Sequence, residues 1–468
     1  MLLSVVIVSY NVKYYLWQCL HSLFRAAEEL KHIDEPQKPS SGDESGCRDV
    51  DFEVFVVDNN SKDDTLKMLE REFPPQNYPQ LHILANKDNP GFGRANNQAF
   101  RLAKGEYVMC LNPDTFISET LLADCVRFMR SHPDAGCLGV RMLNHNGSFA
   151  PESRRSIPTP WASFCKITRL SRLFPKSRVF GRYYLQHLPI GQSAPIEIVS
   201  GACMMARRQV VADVGPFDED FFMYCEDTDL AYRMLKKGYQ NYYIPTPILH
   251  YKGESTRRNT YSYVNNFYKS IFVFFQKHYN AHISILRVLF NIAVYVLAAG
   301  SFVSNNLKKA RYYLHTTLRP HKTRLLFLCP PENEDVCALL IKKYSVDVKV
   351  AHIYNKVGTT SSDSGAGSDY SEIKPSAVSA SSSELRAENP SVGNASSSLG
   401  DISADMLSAF HVCVKRYHPD YIVYDTSRMS LRQILDLSYS LPAKSKRPIA
   451  TFYPQKNIIL TNYHIFSL

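Results

Sequence analysis

Short apolar runs alternate with longer amphipathic stretches through the first half of this chain. Ser4 to Ser9 is an apolar strand, Val12 to Leu30 places its hydrophobic positions at helical spacing, and Glu53 to Val57 is a second strand ending at Asp58. A helix over Asp63 to Glu72, a strand over Leu81 to Ala85, a helix over Gly91 to Ala103 and a strand over Tyr107 to Leu111 continue the rhythm. Strand and helix in alternation predict a mostly parallel sheet. Ligands of such sheets collect beyond the carboxyl ends of the strands. Polar residues stand there: Asn11, Asp58, Asn59, Asn60, Asn86, Asn89, Asn112 and Asp114. Further on, Tyr242 to Ile244 and Ile248 to Tyr251 predict two short strands broken by Pro245 and Pro247, and the first domain is expected to close near Phe275.

Three other stretches depart from this rhythm. Ile33 to Asp49 interrupts the first helix-to-strand connection with Pro, Ser and Gly and is expected to be a surface insertion. Ile283 to Val303 is mostly apolar, but Ser284, Arg287, Asn291 and Ser301 recur near one helical stripe, a pattern suited to lying in a bilayer interface rather than crossing it. After it, strands at Arg324 to Cys329, Val346 to Ala351, Tyr421 to Tyr424 and Ile449 to Phe452, with helices at Asn333 to Lys343 and Leu431 to Tyr439, predict a smaller Rossmann-like α/β domain. It is split by the Ser-, Ala- and Gly-rich segment 357–400, expected to be disordered. The predicted division is therefore residues 1–275, an amphipathic membrane-associated segment 276–318, and residues 319–468. The strand-to-helix turn Pro330-Pro331-Glu332 lacks a glycine-rich phosphate cradle, so no nicotinamide cofactor is expected.

Charge and cysteine usage narrow the partners. The net charge of +10 is concentrated: Ser153 to Arg182 holds eight Lys or Arg and no Asp or Glu, interleaved with Trp161, Phe164, Phe174 and Phe180. Such a stretch seeks an anion, and without a nucleic-acid-binding module a lipid phosphate or an acidic membrane face is favoured over nucleic acid. The cysteines lack paired Cys-x-x-Cys spacing and several fall in predicted strands or helices, which suggests reduced thiols in the cytoplasm. The start Met1-Leu2-Leu3-Ser4 has no basic segment or cleavage-type site, so export is not expected.

The densest chemistry lies at Asp218-Glu219-Asp220-Phe221-Phe222-Met223-Tyr224-Cys225-Glu226-Asp227-Thr228-Asp229, six carboxylates in twelve residues. Crowded carboxylates raise one another's pKa unless a cation compensates, so the cluster points to metal, proton transfer or both. Part of it also suits the start of a helix, with Leu230, Met234 and Leu235 on the following face. Asn112-Pro113-Asp114 after one apolar run and His250 after Ile248-Leu249 are two further stations for a divalent ion and acid/base groups.

Seven segments in order resemble family 2 glycosyltransferases of the GT-A fold, in particular the rhamnosyltransferase-like branch of bacterial surface-polysaccharide synthesis. They are Val5-Val6-Ile7-Val8-Ser9-Tyr10-Asn11, Val56-Val57-Asp58-Asn59-Asn60-Ser61, Asn89-Pro90-Gly91-Phe92-Gly93-Arg94-Ala95-Asn96-Asn97, Leu111-Asn112-Pro113-Asp114, Ser200-Gly201-Ala202, Phe221 to Asp229, and His250-Tyr251-Lys252-Gly253. The resemblance spans about residues 1 to 256 and leaves the rest of the chain uncovered. It implies a nucleotide-diphosphate sugar donor held by Ser9, Tyr10, Asn11, Asp58, Asn60, Asn89, Gly91, Gly93, Arg94, Asn96, Asn112, Asp114 and Gly201. It also implies Mg²⁺ or Mn²⁺ on Asp114 and His250. The family's Asp-x-Asp is here Asn112-Pro113-Asp114, so the first carboxylate is an amide.

Inverting transfer needs one carboxylate to take the acceptor's proton. Asp227 is the candidate base and Glu226 the second; Glu226 or Asp229 could instead hold the acceptor or cap the helix. The basic stretch Arg154 to Arg182 would receive a lipid-linked or glycan acceptor at the inner face of the cell membrane, where other polysaccharide-assembly proteins are possible partners. Two other readings stay open: a nucleotidyltransferase on a similar sheet, and a non-catalytic scaffold that recruits polysaccharide enzymes through its C-terminal module.

Overall fold

The heptapeptide Leu3–Ser9 (β1) is buried along its whole length, which a strand tolerates only at the centre of a sheet covered on both faces. In this computed structural model, which describes residues 1–30, 33, 52–168, 170–251, 261–279, 323–333, 335–344, 346–351, 404–427, 429–461 and 465–467, β1 has parallel neighbours on both sides. Phe52–Asp58 (β2) lies on one and Tyr107–Leu111 (β4) on the other, while Leu81–Ala85 (β3) extends the sheet beyond β2. The register sets Ser9 beside Asp58 and Asp58 beside Ala85. The carboxyl ends of these strands therefore share one edge. Segments 34–50, 280–322 and 352–403, which hold most of the expected insertion, the amphipathic stretch 283–303 and the Ser-rich stretch 357–400, lie outside the described residues.

Helices cover this sheet because their apolar positions recur at three- and four-residue spacing. Lys13–Leu30 (α1) buries Leu16, Cys19, Leu20, Leu23, Ala26, Ala27 and Leu30. Phe92–Phe100 (α3), which follows Thr65–Glu72 (α2), packs on β1 and β2 through Ala95 and Ala99. These small side chains let the helix approach closely, bringing its N-terminus to the ligand edge.

The second half of the sheet reverses direction. Thr115–Ile117 (β5), Leu121–Ser131 (α4) and Ala135–Leu143 (β6) follow β4 in sequence, and Ala194–Ile196 (β7) and Cys203–Arg207 (β8) come later. β8 runs antiparallel between β4 and β6. Gln240–His250 (β9) pairs with β6, β5 and β7, giving a nine-stranded mixed sheet among the described residues. The two short strands expected around Pro245 and Pro247 are one strand. Its register jumps from Val140 beside Ile244 to Arg141 beside Pro247, and an irregularity of this kind is where a residue without an N–H fits a sheet.

Between β6 and β8 lie two short helices, Pro160–Ile167 (α5) and Leu170–Leu173 (α6). After β8 come Arg208–Val214 (α7), Glu226–Lys236 (α8) and, following β9, Tyr261–Tyr279 (α9), which passes Phe275 without a break. This unit comprises Met1–Leu143 with Phe149–Arg319, and a second comprises Asn144–Ser148 with Pro320–Leu468. Among the described residues no helix is long and apolar enough to cross a membrane.

The second unit has its own sheet. Arg324–Leu328 (β10), Asp347–Ala351 (β11), Tyr421–Asp425 (β12) and Ile449–Tyr453 (β13) are parallel in the order β11-β10-β12-β13, and Ile458–Leu460 (β14) and Ile465–Ser467 (β15) continue it antiparallel. Asp335–Tyr344 (α10), Ala404–Tyr417 (α11) and Leu431–Ser440 (α12) alternate with the strands, and a Ser430/Gln433 capping box starts α12. Beyond β12, both the N–H and the hydroxyl of Ser427 donate to Asp425, and Asn333 donates to its other oxygen.

Candidate active site

The ligand edge is stitched by amides. Asp58 is buried and accepts from the N–H and hydroxyl of Ser61 at 2.9 and 2.6 Å. Asn11 and Asn60 both adopt left-handed backbone (φ 55° and 62°), a conformation Asn tolerates better than most residues. The Asn11 N–H donates to Ser61 Oγ, and Asn11 Oδ1 accepts from the Lys62 N–H. Asn59 joins three strand ends: its N–H donates to the Ser9 carbonyl, its Nδ2 to Asn89 Oδ1, and its Oδ1 accepts from Asn86 Nδ2. Asn60 donates to the Lys87 carbonyl. Tyr10 is exposed beside this network, and Ser9 Oγ is buried with no partner among the described residues.

The start of α3 is fastened to the acidic segment. Gly91 has φ 93°, and a Cβ there would lie 2.4 Å from the Phe222 carbonyl, which accepts from the Phe92 N–H. Only glycine fits that approach. Gly93 is different, since a Cβ there would make ordinary contact at 3.5 Å. Asn97 clamps Phe217 from both sides, donating to its carbonyl at 2.8 Å and accepting from its N–H at 3.0 Å. Arg94 pairs with Glu219, and Asn96 donates to the Phe92 carbonyl while its buried Oδ1 has no partner among the described residues.

Four of the six clustered carboxylates hold the fold. Asp218 and Asp220 pair with Lys277 on α9, Glu219 accepts from Asn97, and Asp229 is clasped by Arg233 at 2.8 Å and His278 at 2.6 Å. The remaining two open α8. They follow Tyr224 and Cys225, consecutive non-glycine residues in left-handed backbone (φ 72° and 65°), each a strain of about 1–3 kcal/mol of the sort that clusters at functional sites.

Glu226 and Asp227 have opposite surroundings. Glu226 is buried, its Oε2 lacks a partner among the described residues, and burial followed by the charge of Asp227 pushes its pKa up to about 8. Asp227 Oδ2 accepts from Arg155 at 2.7 Å and from the Gly201 N–H at 2.8 Å, and its Oδ1 accepts from Thr228 at 3.0 Å. Burial opposes a charge on Arg155, yet its pKa is raised by Asp227 acting together with Tyr183 and Cys225. A Cβ on Gly201 would stand 3.1 Å from that of Asp227, so the loop fits closely against the carboxylate.

The third station is connected to the second. The Asn112 N–H donates to the Ala202 carbonyl, next to Gly201, and the Asn112 carbonyl accepts from Thr115 Oγ1. Pairing of β5 with β9 sets Thr115 beside His250. His250 Nε2 lies 3.1 Å from Asp114 Oδ1 and 3.3 Å from Asn112 Nδ2, and its buried Nδ1 has no partner among the described residues. A carboxylate oxygen and an imidazole nitrogen thus converge, a donor pair that suits a divalent ion. Among the described residues no third His, Cys, Asp or Glu joins them. That fits ions such as Mg²⁺, which take one or two protein ligands and complete their shell with substrate phosphates and water.

The acid-free stretch divides in two. Arg154 is fully buried, donates to the Leu188 and Pro189 carbonyls at 2.9 Å, and lies over the rings of Phe149 and Tyr243. Arg155 is the counter-ion of Asp227. Neither is available to a surface anion. Arg155 and Asn97 were not singled out from the sequence, although an arginine in an acid-free run and a carboxylate in a base-poor cluster are natural complements.

Residues 4–215 match the family model described as Glycosyl transferase family 2. The N-acetylglucosaminyl-diphospho-decaprenol L-rhamnosyltransferase of Mycobacterium tuberculosis is 28% identical over 233 residues, covering 47% of this chain and 73% of that protein. The rhamnosyltransferase WbbL of Escherichia coli K12 is 23% identical over 235 residues, covering 44% and 84%. Among solved structures, a mannosyltransferase from Pyrobaculum calidifontis aligns with a TM-score of 0.40 at 16% identity, covering 68% of this chain and 81% of that one.

Proposed function

We propose, from the match of residues 4–215 to the Glycosyl transferase family 2 model, that the chain is an inverting, Mg²⁺- or Mn²⁺-dependent hexosyltransferase that moves a sugar from a nucleotide-diphosphate donor to a lipid-linked acceptor in cell-surface polysaccharide synthesis. Rhamnose is the sugar we assign, because two relatives are named rhamnosyltransferases. A polyprenyl-diphosphate-linked sugar is the acceptor we assign, after the name of the first. The observation that carries the proposal is the join between two stations: the segment Gly201-Ala202 bonds Asp227 on one side and Asn112 on the other, next to Asp114 and His250.

Asp114 and His250 would hold the ion, which when bound neutralises the departing diphosphate. Ser9, Tyr10 and Asn11, with the Asp58–Ser61 turn, would bound the nucleotide at the ends of β1 and β2, and the opening of α3 at Gly91 would face the donor. Asp227 takes the acceptor's proton as the hydroxyl oxygen attacks the anomeric carbon from the side opposite the diphosphate. Its charge is balanced and its orientation fixed by Arg155 and Gly201. Glu226, with its pKa near 8, keeps its proton at neutral pH and serves as a hydrogen-bond donor. Two adjacent carboxyl groups in unlike surroundings are the usual mark of divided acid and base roles.

Thermal melts against a panel of nucleotide-diphosphate sugars test this reading. A cognate donor with Mn²⁺ at about a hundred times its Kd should stabilise the protein by about 2.7 kcal/mol. The stabilisation should vanish with EDTA and in Asp114→Ala. A donor effect indifferent to both would remove the ion from the account.

A further inference from the structure

We propose that α5, α6 and the turn after them form a bilayer-docking surface that inserts aromatic side chains into an anionic membrane leaflet. The proposal deepens the lipid-linked acceptor reading and rests on it. Trp161, Phe164, Leu173, Phe174 and Val179 are 49–71% exposed and fall within 19 residues of sequence. They form a connected layer: Trp161 stacks on Phe164 with centroids 5.6 Å apart, and Phe180 bridges Trp161 at 6.1 Å and Phe174 at 5.5 Å. Large apolar side chains gathered in this way mark an interaction surface, whereas single exposed ones need no explanation.

Charge selects the occupant. Arg172, Lys176 and Arg178 are exposed beside the aromatic layer and form no ion pair among the described residues, in a stretch of sequence without a single acidic residue. Short amphipathic elements with aromatic side chains and free cations bind anionic lipid through apolar burial and electrostatic attraction together. A protein partner would have to offer an acidic rim around an apolar centre, whereas an anionic bilayer supplies both everywhere.

The aromatic layer is connected to the reacting carboxylates through a short series of side chains. Lys166 of α5 lies 3.9 Å from the ring centre of the buried Tyr183, and Tyr183 in turn interacts electrostatically with Arg155, the partner of Asp227. A polyprenyl-diphosphate acceptor whose tail stays in the bilayer would bring its head group toward Asp227 when this surface is docked.

The chain reports on the proposal itself, because it has only two tryptophans. Trp17 is 6% exposed in the core, and Trp161 is on the proposed surface. The full chain is mixed with phosphatidylcholine vesicles with or without phosphatidylglycerol, carrying brominated acyl chains, and tryptophan emission is read beside co-sedimentation. The expected result is a blue shift with quenching on anionic vesicles only, abolished in Trp161→Phe. The triple variant Arg172→Glu, Lys176→Glu, Arg178→Glu should weaken vesicle binding by tenfold or more while its melting temperature is unchanged. Bound protein with an unaltered Trp161 signal, or no binding at all, overturns the proposal. Donor-induced stabilisation is measured on the same samples. Loss of donor binding with vesicle docking intact would overturn the transferase reading alone, and the reverse pattern would overturn the docking surface alone.

Discussion

Replacing Glu226 with Gln removes one titrating proton from a buried position and should change how stability depends on pH. In the folded chain the Glu226 pKa is raised from 4.5 to about 8, first by burial and then by Asp227. The folded state therefore holds a proton that the unfolded state releases above about pH 4.5, so stability falls as pH rises between those values and the loss is complete above about pH 8. At ~1.36 kcal/mol per pKa unit the shift corresponds to about 5 kcal/mol for a rigid site. Water entry and relaxation around a buried charge reduce that, and a loss of about 2–3 kcal/mol is the expected outcome. Urea unfolding of wild type and Glu226→Gln at about pH 4, below the unfolded value, and at about pH 8.5 isolates the group, because other titrations cancel in the double difference. The variant should match wild type at the lower pH and exceed it at the higher. Parallel curves would refute the claim that Glu226 is protonated at neutral pH.

Asp227→Asn keeps the shape of the side chain and should bind donor normally, yet lose transfer by about two orders of magnitude or more in a single-turnover assay. Gly91→Ala meets the Phe222 carbonyl at 2.4 Å from a positive φ and should destabilise the fold by about 2–3 kcal/mol in chemical denaturation. Asp114→Ala should leave the melting temperature of the ligand-free protein nearly unchanged and abolish the Mn²⁺ dependence of donor binding in calorimetry.

Much of the first unit was legible because its strands are continuous apolar runs and its helices keep strict periodicity. Tyr107–Leu111 and Leu81–Ala85 fall where the pattern places them. The strand through Pro245 and Pro247 was not legible, because proline normally ends a strand and the register irregularity that accommodates it depends on β6. At the site, the sequence identified the carboxylates but not their division of labour. Asp218, Asp220 and Asp229 are claimed by Lys277 and His278, about fifty to sixty residues away, and no local pattern announces a long-range counter-ion. The same holds for Arg155, which reads as surface charge until Asp227 is set against it.

Attack on the anomeric carbon of the donor, with Asp227 as the base, separates a glycosyl transfer from an attack on phosphorus. The most direct test is to identify the nucleotide released when the full chain turns over a nucleotide-diphosphate sugar with a lipid-diphosphate-linked acceptor and Mn²⁺. Nucleoside diphosphate in equal amount to the glycosylated acceptor is expected, with both formed about a hundredfold or more slowly by Asp227→Asn. Release of nucleoside monophosphate with the sugar phosphate transferred to the acceptor would place the attack on phosphorus and contradict this mechanism.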